Sequence, residues 1–254
     1  MINYCLILLI FILLFIINYQ VIKKKEYFTE ILDITICIAC HPPYINKLKY
    51  LLKSINNSNY YPKSCIIGLS ETSDIDKNKL EKEFNKKYNF KIIITNSEKK
   101  CYQAENRNRA INLARTKYIT ICDSDDIVHK NRLKKIYDIM EHENCMALLH
   151  GFKRHNNRDI SNDWHLKKKF SVMRGKELYN NMKITEGKQE HLSIKKIHHA
   201  YITFKRNVFS KIKQNETQKY YRKEDSKFVR DILKYYGNQE NTMVFYDIPL
   251  VAYF

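Results

Sequence analysis

Residues 103–126 read QAENRNRAINLARTKYITICDSDD, and this stretch decides how the rest of the chain is read. Its first part, Ala104–Arg115, carries Ala104, Ile111, Leu113 and Ala114 at the spacing of a helix. Lys117–Cys122 (KYITIC) is a short, apolar, β-branched run, as expected of a buried strand. Asp123-Ser124-Asp125-Asp126 follows at once. Three carboxylates within four residues repel one another. At a strand end that repulsion is relieved if a divalent cation sits among them, and hard oxygen ligands suit Mg²⁺ or Mn²⁺. Such a cation neutralises a diphosphate and assists its departure. The plainer alternative is a solvated acidic turn in which Ser124 or Asp126 caps the following helix.

Working outward, the same alternation recurs. Asp33–Ala39, Ser64–Leu69, Phe90–Thr95 and Cys145–His150 read as strands. Between them lie helical patterns at Tyr44–Ile55, Lys77–Tyr88 and Arg132–Glu143. Strands alternating with helices of this length predict an α/β fold, a mostly parallel sheet with helices on both faces. Ligands of such sheets bind outside the carboxyl ends of the strands. From 152 to 196 the alternation stops. Helical spacing returns from Asp225, with Phe228, Val229, Ile232 and Leu233 inward, and Glu224-Asp225 opens that helix. A carboxylate there is oriented by free backbone N–H groups and could accept a proton, although acidic first turns are also common for purely structural reasons.

The chain has 254 residues, 44% hydrophobic and 28% charged, with only 5 Gly and 4 Pro; collagen-like and Pro/Gly-rich disordered chains are thereby excluded. Its formal charge of +18 suits an anionic partner without choosing one. Seven scattered cysteines make a poor disulfide framework, and the lone pair Cys37-Ile-Ala-Cys40 lies inside a strand with no second pair to complete a zinc site. Buried free thiols are expected.

Residues 2–22 contain no charge, and Cys5–Ile17 is an unbroken apolar run closed by Lys23-Lys24-Lys25. A helix of that length spans about 31 Å, the thickness of a bilayer core. With no basic segment before it and no small-residue cleavage site after it, the segment reads as a single-pass anchor rather than a signal peptide. The lysine triplet favours a cytoplasmic main domain. The expected organisation is an anchor over 1–22, a stalk over 23–32 and one catalytic domain over 33–254.

Several motifs in order resemble the glycosyltransferases of the GT-A fold, especially family 2. ITICIACHPPY (34–44) is similar to that family's opening strand, whose end contacts the nucleotide, pointing to His41 and Pro42. In LSETSD (69–74), Glu71 or Asp74 matches the acidic residue that binds the base. Arg107 and Asn108 fall on the family's Arg-Asn pair; where the family often has Gly nearby, this chain has Tyr102-Gln103. The resemblance implies that Asp123 contacts the ribose and Asp125 the metal, Mn²⁺ or Mg²⁺, with Asp123 a second ligand, and that Asp225 is the general base. Glu224, His199, Trp164 and Arg230 are pocket or acceptor candidates. It further implies a nucleotide-sugar half over 33–126, an acceptor half over 127–254, inversion at the anomeric carbon, a UDP-sugar ahead of a GDP-sugar, and a glycan, glycolipid or glycoprotein acceptor. Two other readings stay open: a nucleotidyltransferase, which the lack of a Gly-rich phosphate loop disfavours, and a basic membrane-tethered binder. No motif for nucleic acid is present, and none is expected as a partner.

Overall fold

Strand β1 (Glu30–Cys40) is buried along nearly all of its length, as an apolar strand covered on both faces must be. The computed structural model describes residues 12, 30–157, 160–167, 169–181, 200–217, 223–237 and 239–254. Ile31–Phe254 forms one compact unit. Apart from Ile12, the expected anchor lies outside the described residues, as do the lysine triplet, His198 and His199. Among the described residues no helix is long and apolar enough to cross a membrane.

After β1 come a 3₁₀ turn (Pro42–Tyr44), α1 (Ile45–Asn56), β2 (Tyr60–Leu69), α2 (Asp74–Lys87), β3 (Ile92–Asn96), α3 (Gln103–Leu113) and β4 (Tyr118–Asp123). Then follow β5 (Ile127–Val128), α4 (Arg132–Glu143), β6 (Ala147–Arg154), β7 (Val172–Arg174) and α5 (Gly175–Asn181). The last elements are β8 (Ile202–Lys205), α6 (Arg206–Phe209), α7 (Glu224–Tyr236) and β9 (Met243–Tyr253). The sheet runs β3-β2-β1-β4-β8-β6-β9-β5, with β7 added on β9. β1 pairs with β4, β2 with β3 and β6 with β9 in parallel. β8 enters antiparallel to both β4 and β6, and β5 and β7 lie antiparallel to β9.

Helices cover both faces. One apolar cluster joins Ile34, Ile36 and Ile38 to Leu48 and Leu52 of α1, Phe84 of α2 and Ile136 of α4. The other joins Cys37, Ile119 and Ile121 to Ala110 and Ile111 of α3 and Phe228, Val229, Ile232 and Leu233 of α7. The six described cysteines are all buried and carry free thiols.

Two expectations need correcting. Helix α2 begins at Asp74, three residues before the expected Lys77, because the Ser73 hydroxyl accepts a hydrogen bond from the Asp76 N–H (3.1 Å) and caps the helix there. Leu113 is not an inward residue of α3 but 42% exposed; the polar Asn106, Arg107 and Asn108 are the buried ones. Gly68 shows why this helix lies so close. A Cβ built on Gly68 would sit 2.0 Å from the Asn106 carbonyl oxygen, so only glycine lets α3 rest on β2 at that distance.

Candidate active site

The pairing of β1 with β4 places Ala39 opposite Asp123. His41 and the Asp123–Asp126 turn therefore leave the sheet side by side, at the carboxyl ends of parallel strands. β2 ends next to them. The Ser70 N–H donates to the Cys40 carbonyl (3.4 Å), and the Ser70 hydroxyl is 2.6 Å from His41 Nδ1. Burial pulls the His41 pKa below its ordinary value, while the nearby Glu71 carboxylate opposes that shift. Glu71 has a left-handed backbone (φ 53°), and strain of that kind in a residue with a side chain is commonest at functional sites. Of the two acidic candidates after β2, Glu71 is exposed but close enough to His41 to act on its charge. Asp74 is exposed in the first turn of α2.

Helix α3 brings the central residue. Arg107 is fully buried, and its two terminal nitrogens reach two carboxylates from different parts of the chain. One donates to Asp123 Oδ1 (2.5 Å) and the other to Asp225 Oδ1, at the start of α7. Gln103, in the first turn of α3, donates from its amide to the same Asp123 oxygen (3.0 Å). Around this contact α3 is tied to the strand ends. Arg109 donates to the Leu69 carbonyl (2.9 Å) and to Asn106 Oδ1 (2.5 Å). Asn108 holds the segment before α7 by donating to the Gln214 carbonyl (2.8 Å) and to Glu216 (2.7 Å).

This enclosure sets the charge states. Burial pushes the Asp225 carboxyl up to about 7; the Arg107 guanidinium pulls the other way, and the neighbouring Asp123 and Glu224 carboxylates add to the rise. Asp225 remains 21% exposed at its side chain, so a hydroxyl can approach it from outside. A carboxyl titrating near neutrality, held by a fixed guanidinium, has the properties required of a general base.

Asp125 lies on the open side of the turn, 29% exposed, with the Lys47 ammonium 3.9 Å from Oδ2. Asp126 points inward and is 1% exposed. Neither of its oxygens has a hydrogen bond of ordinary geometry, although the Tyr201 hydroxyl is beside it. Burial, together with Asp123 and Asp125, drives the Asp126 pKa well above the usual carboxylate range. Behind it, Arg132 donates to Thr120 Oγ1 (2.8 Å), to the Ile121 carbonyl (3.3 Å) and to His150 Nε2 (3.1 Å). Burial and Arg132 keep His150 neutral. Among the described residues, no three His, Cys, Asp or Glu side chains converge into a metal cage. The partly exposed Asp123 and Asp125 nevertheless fit Mg²⁺ or Mn²⁺, which commonly take one or two carboxylates and complete their shell with water and substrate phosphate oxygens.

The other candidates make fewer contacts with this cluster. Trp164 is half-buried; its indole N–H donates to the Pro249 carbonyl (2.7 Å), its ring meets His129 edge-on, and the Lys153 ammonium lies 4.9 Å from the ring centre. Arg230 makes no ion pair with Asp225 among the described residues, and its Nε is buried without a hydrogen bond. Glu224 is buried beside Arg107, with Oε2 unbonded. Pro42 opens the 3₁₀ turn after His41, and His199 is not among the described residues. Sequence reasoning missed Lys47, Ser70 and Gln103 as members of the site. Only Gln103 left a trace, as a departure from the glycine often found there.

The fold is that of the GT-A class, and the comparisons agree. Residues 35–213 match the model of glycosyl transferase family 2, and the chain belongs to that family. An uncharacterized glycosyltransferase of Methanocaldococcus jannaschii is 34% identical over 102 residues, covering 40% of this chain and 35% of that protein. The crystal structure of residues 1–349 of TarS from S. aureus superposes with a TM-score of 0.59 at 16% identity, over 87% of this chain and 60% of that one. TarS has also been solved with UDP and with UDP-GlcNAc. The mannosyltransferase PcManGT from Pyrobaculum calidifontis, in complex with GDP-Man and Mn²⁺, superposes with a TM-score of 0.53 at 13% identity, over 84% of this chain and 56% of that one. The chain thus spans about a third of the M. jannaschii relative and about three-fifths of the TarS fragment.

Proposed function

We propose that this protein transfers a sugar from a nucleotide-diphosphate donor to a hydroxyl acceptor with inversion, and that Asp225 is the general base. The observation that carries this reading is the Arg107 contact, which joins the Asp of the strand-end motif to a carboxylate 118 residues beyond Arg107. A solvated acidic turn would not need a buried guanidinium to bring in a second acidic residue. Glu71 and His41 would face the base, and Asp123 the ribose. As the acceptor oxygen attacks the anomeric carbon, Asp225 takes the hydroxyl proton. The carbon–oxygen bond to the diphosphate breaks, and the nucleoside diphosphate leaves with the bonding electrons.

Asp125 and Asp123 are the residues to hold Mn²⁺ or Mg²⁺, which would offset the charge of the departing diphosphate. UDP-sugars are the first donors to test, given the UDP and UDP-GlcNAc complexes of a protein with the same fold, and GDP-sugars the second. The acceptor would be a glycan, glycolipid or glycoprotein. The apolar 2–22 segment would hold the enzyme on a membrane as a single-pass anchor, with the catalytic domain on the cytoplasmic side.

The test is a panel of sugar nucleotides assayed for hydrolysis and transfer with and without Mn²⁺. Asp125→Asn is expected to abolish turnover, and Asp225→Asn to spare donor binding while lowering transfer by about 10²–10⁴-fold. Full turnover in chelator would remove the metal from this reading, and an active Asp225→Asn variant would remove the base.

A further inference from the structure

The cationic groups around the strand-end motif differ in what they are free to do. Both terminal nitrogens of Arg107 are occupied by carboxylates. Arg132 is buried behind Asp126 and bound to Thr120, Ile121 and His150. Lys47 differs from both. It stands in the first turns of α1, its side chain is 40% exposed, and its ammonium is 3.9 Å from Asp125 Oδ2, beyond a direct hydrogen bond. The Tyr44 ring centre lies 4.5 Å from the ammonium, within cation–π range.

Resting on the donor reading above, we propose that Lys47 is a binding residue for the donor diphosphate. In the free protein its charge is shared with Asp125. When a nucleoside diphosphate settles over the motif, the long lysine stem lets the ammonium turn from a carboxylate it holds only loosely to phosphate oxygens that take a direct hydrogen bond. The base and ribose contacts, at His41, Glu71 and Asp123, do not involve it. Lys47 therefore answers to the phosphates alone, whereas Arg107, locked between two carboxylates, answers to the shape of the site.

The experiment is calorimetric titration of the full chain with UDP, GDP and uridine, each with and without MnCl₂. Lys47→Ala and Lys47→Met are expected to weaken binding of the nucleoside diphosphate by roughly tenfold, the scale of one charged hydrogen bond. Uridine binding should not change, and Lys47→Arg should restore most of the loss, because a guanidinium also binds phosphate. Melting temperatures of all three variants should match the parent, since the side chain is half exposed. A Lys47→Ala variant that binds UDP and GDP as tightly as the parent would overturn the assignment, and so would equal losses for UDP and uridine. If the parent protein bound neither nucleotide, the donor reading itself would fall, and this inference with it.

Discussion

One guanidinium serving two carboxylates makes Arg107 the residue whose loss should be felt most. Removing one partner of a buried ion pair costs about 3–5 kcal/mol, because the remaining charges stay buried without compensation. Arg107→Ala should therefore lower stability by about that amount in urea titration, and Asp123 and Asp225 should lose their common orientation. Its effect on pH dependence has a definite sign. Arg107 holds the Asp225 pKa down against burial, Asp123 and Glu224, so the parent should show an acid limb in kcat/KM near pH 7, with activity rising as Asp225 loses its proton. In Arg107→Lys, which keeps the charge but not the two-pronged contact, that limb should move upward; a limb that stays in place would show that Arg107 does not tune the base. Arg107, Asp123 and Asp225 could be named from the sequence because each falls in a motif. Their contact could not, since no local pattern links residues 118 positions apart. Lys47 and Ser70 are illegible for a different reason: each meets its site partner, Asp125 or His41, across a strand end, and lysine and serine are ordinary residues in a first turn or a loop.

Helix α3 shows how an element can be found correctly and its face misread. Its apolar residues are few, and one of them, Leu113, faces outward. Once Gly68 lets the helix sit against β2, the rotation that buries Ala110 and Ile111 also buries Asn106, Arg107 and Asn108. These polar side chains donate to the Cys40 carbonyl, the Asp123 carboxylate and the Gln214 carbonyl, partners that only the tertiary fold supplies. Gly68→Ala should push α3 away from the sheet, costing about 1–3 kcal/mol in overpacking. It should also lower transfer far more than donor hydrolysis, because the Arg107–Asp225 contact moves with the helix. A variant as active as the parent would mean that α3 tolerates the shift. Helix α7 was legible almost to the residue, because its four inward side chains follow helical spacing and pack as expected. In the sequence β8 and β9 are apolar segments with no mark of their direction or neighbours. Their places between β4 and β6, and between β6 and β5, follow from long-range pairing that a single sequence does not encode locally.

At the scale of the whole molecule, the first four strands and their helices follow directly from apolar runs and helical spacing. The second half of the sheet needs antiparallel entries from residues far along the chain. The six described cysteines show what this packing implies. Cys37, Cys65 and Cys122 lie among neighbouring strands with their thiols driven well above the ordinary value by burial, and Cys40 is pushed up to about 12. A thiol that cannot ionise reacts slowly with alkylating reagents until it reaches water. In a Cys5→Ser background, iodoacetamide should therefore act as a clock for opening: modification of Cys37, Cys40, Cys65, Cys122 and Cys145 should keep pace with urea unfolding followed by fluorescence. Early capture of Cys40 alone would instead report a breathing motion at the rim where β1 meets the motif. The sheet's interior sulfurs thus provide, without any added label, a way to time how often the edge that carries the acidic motif comes apart and whether an added nucleotide slows it.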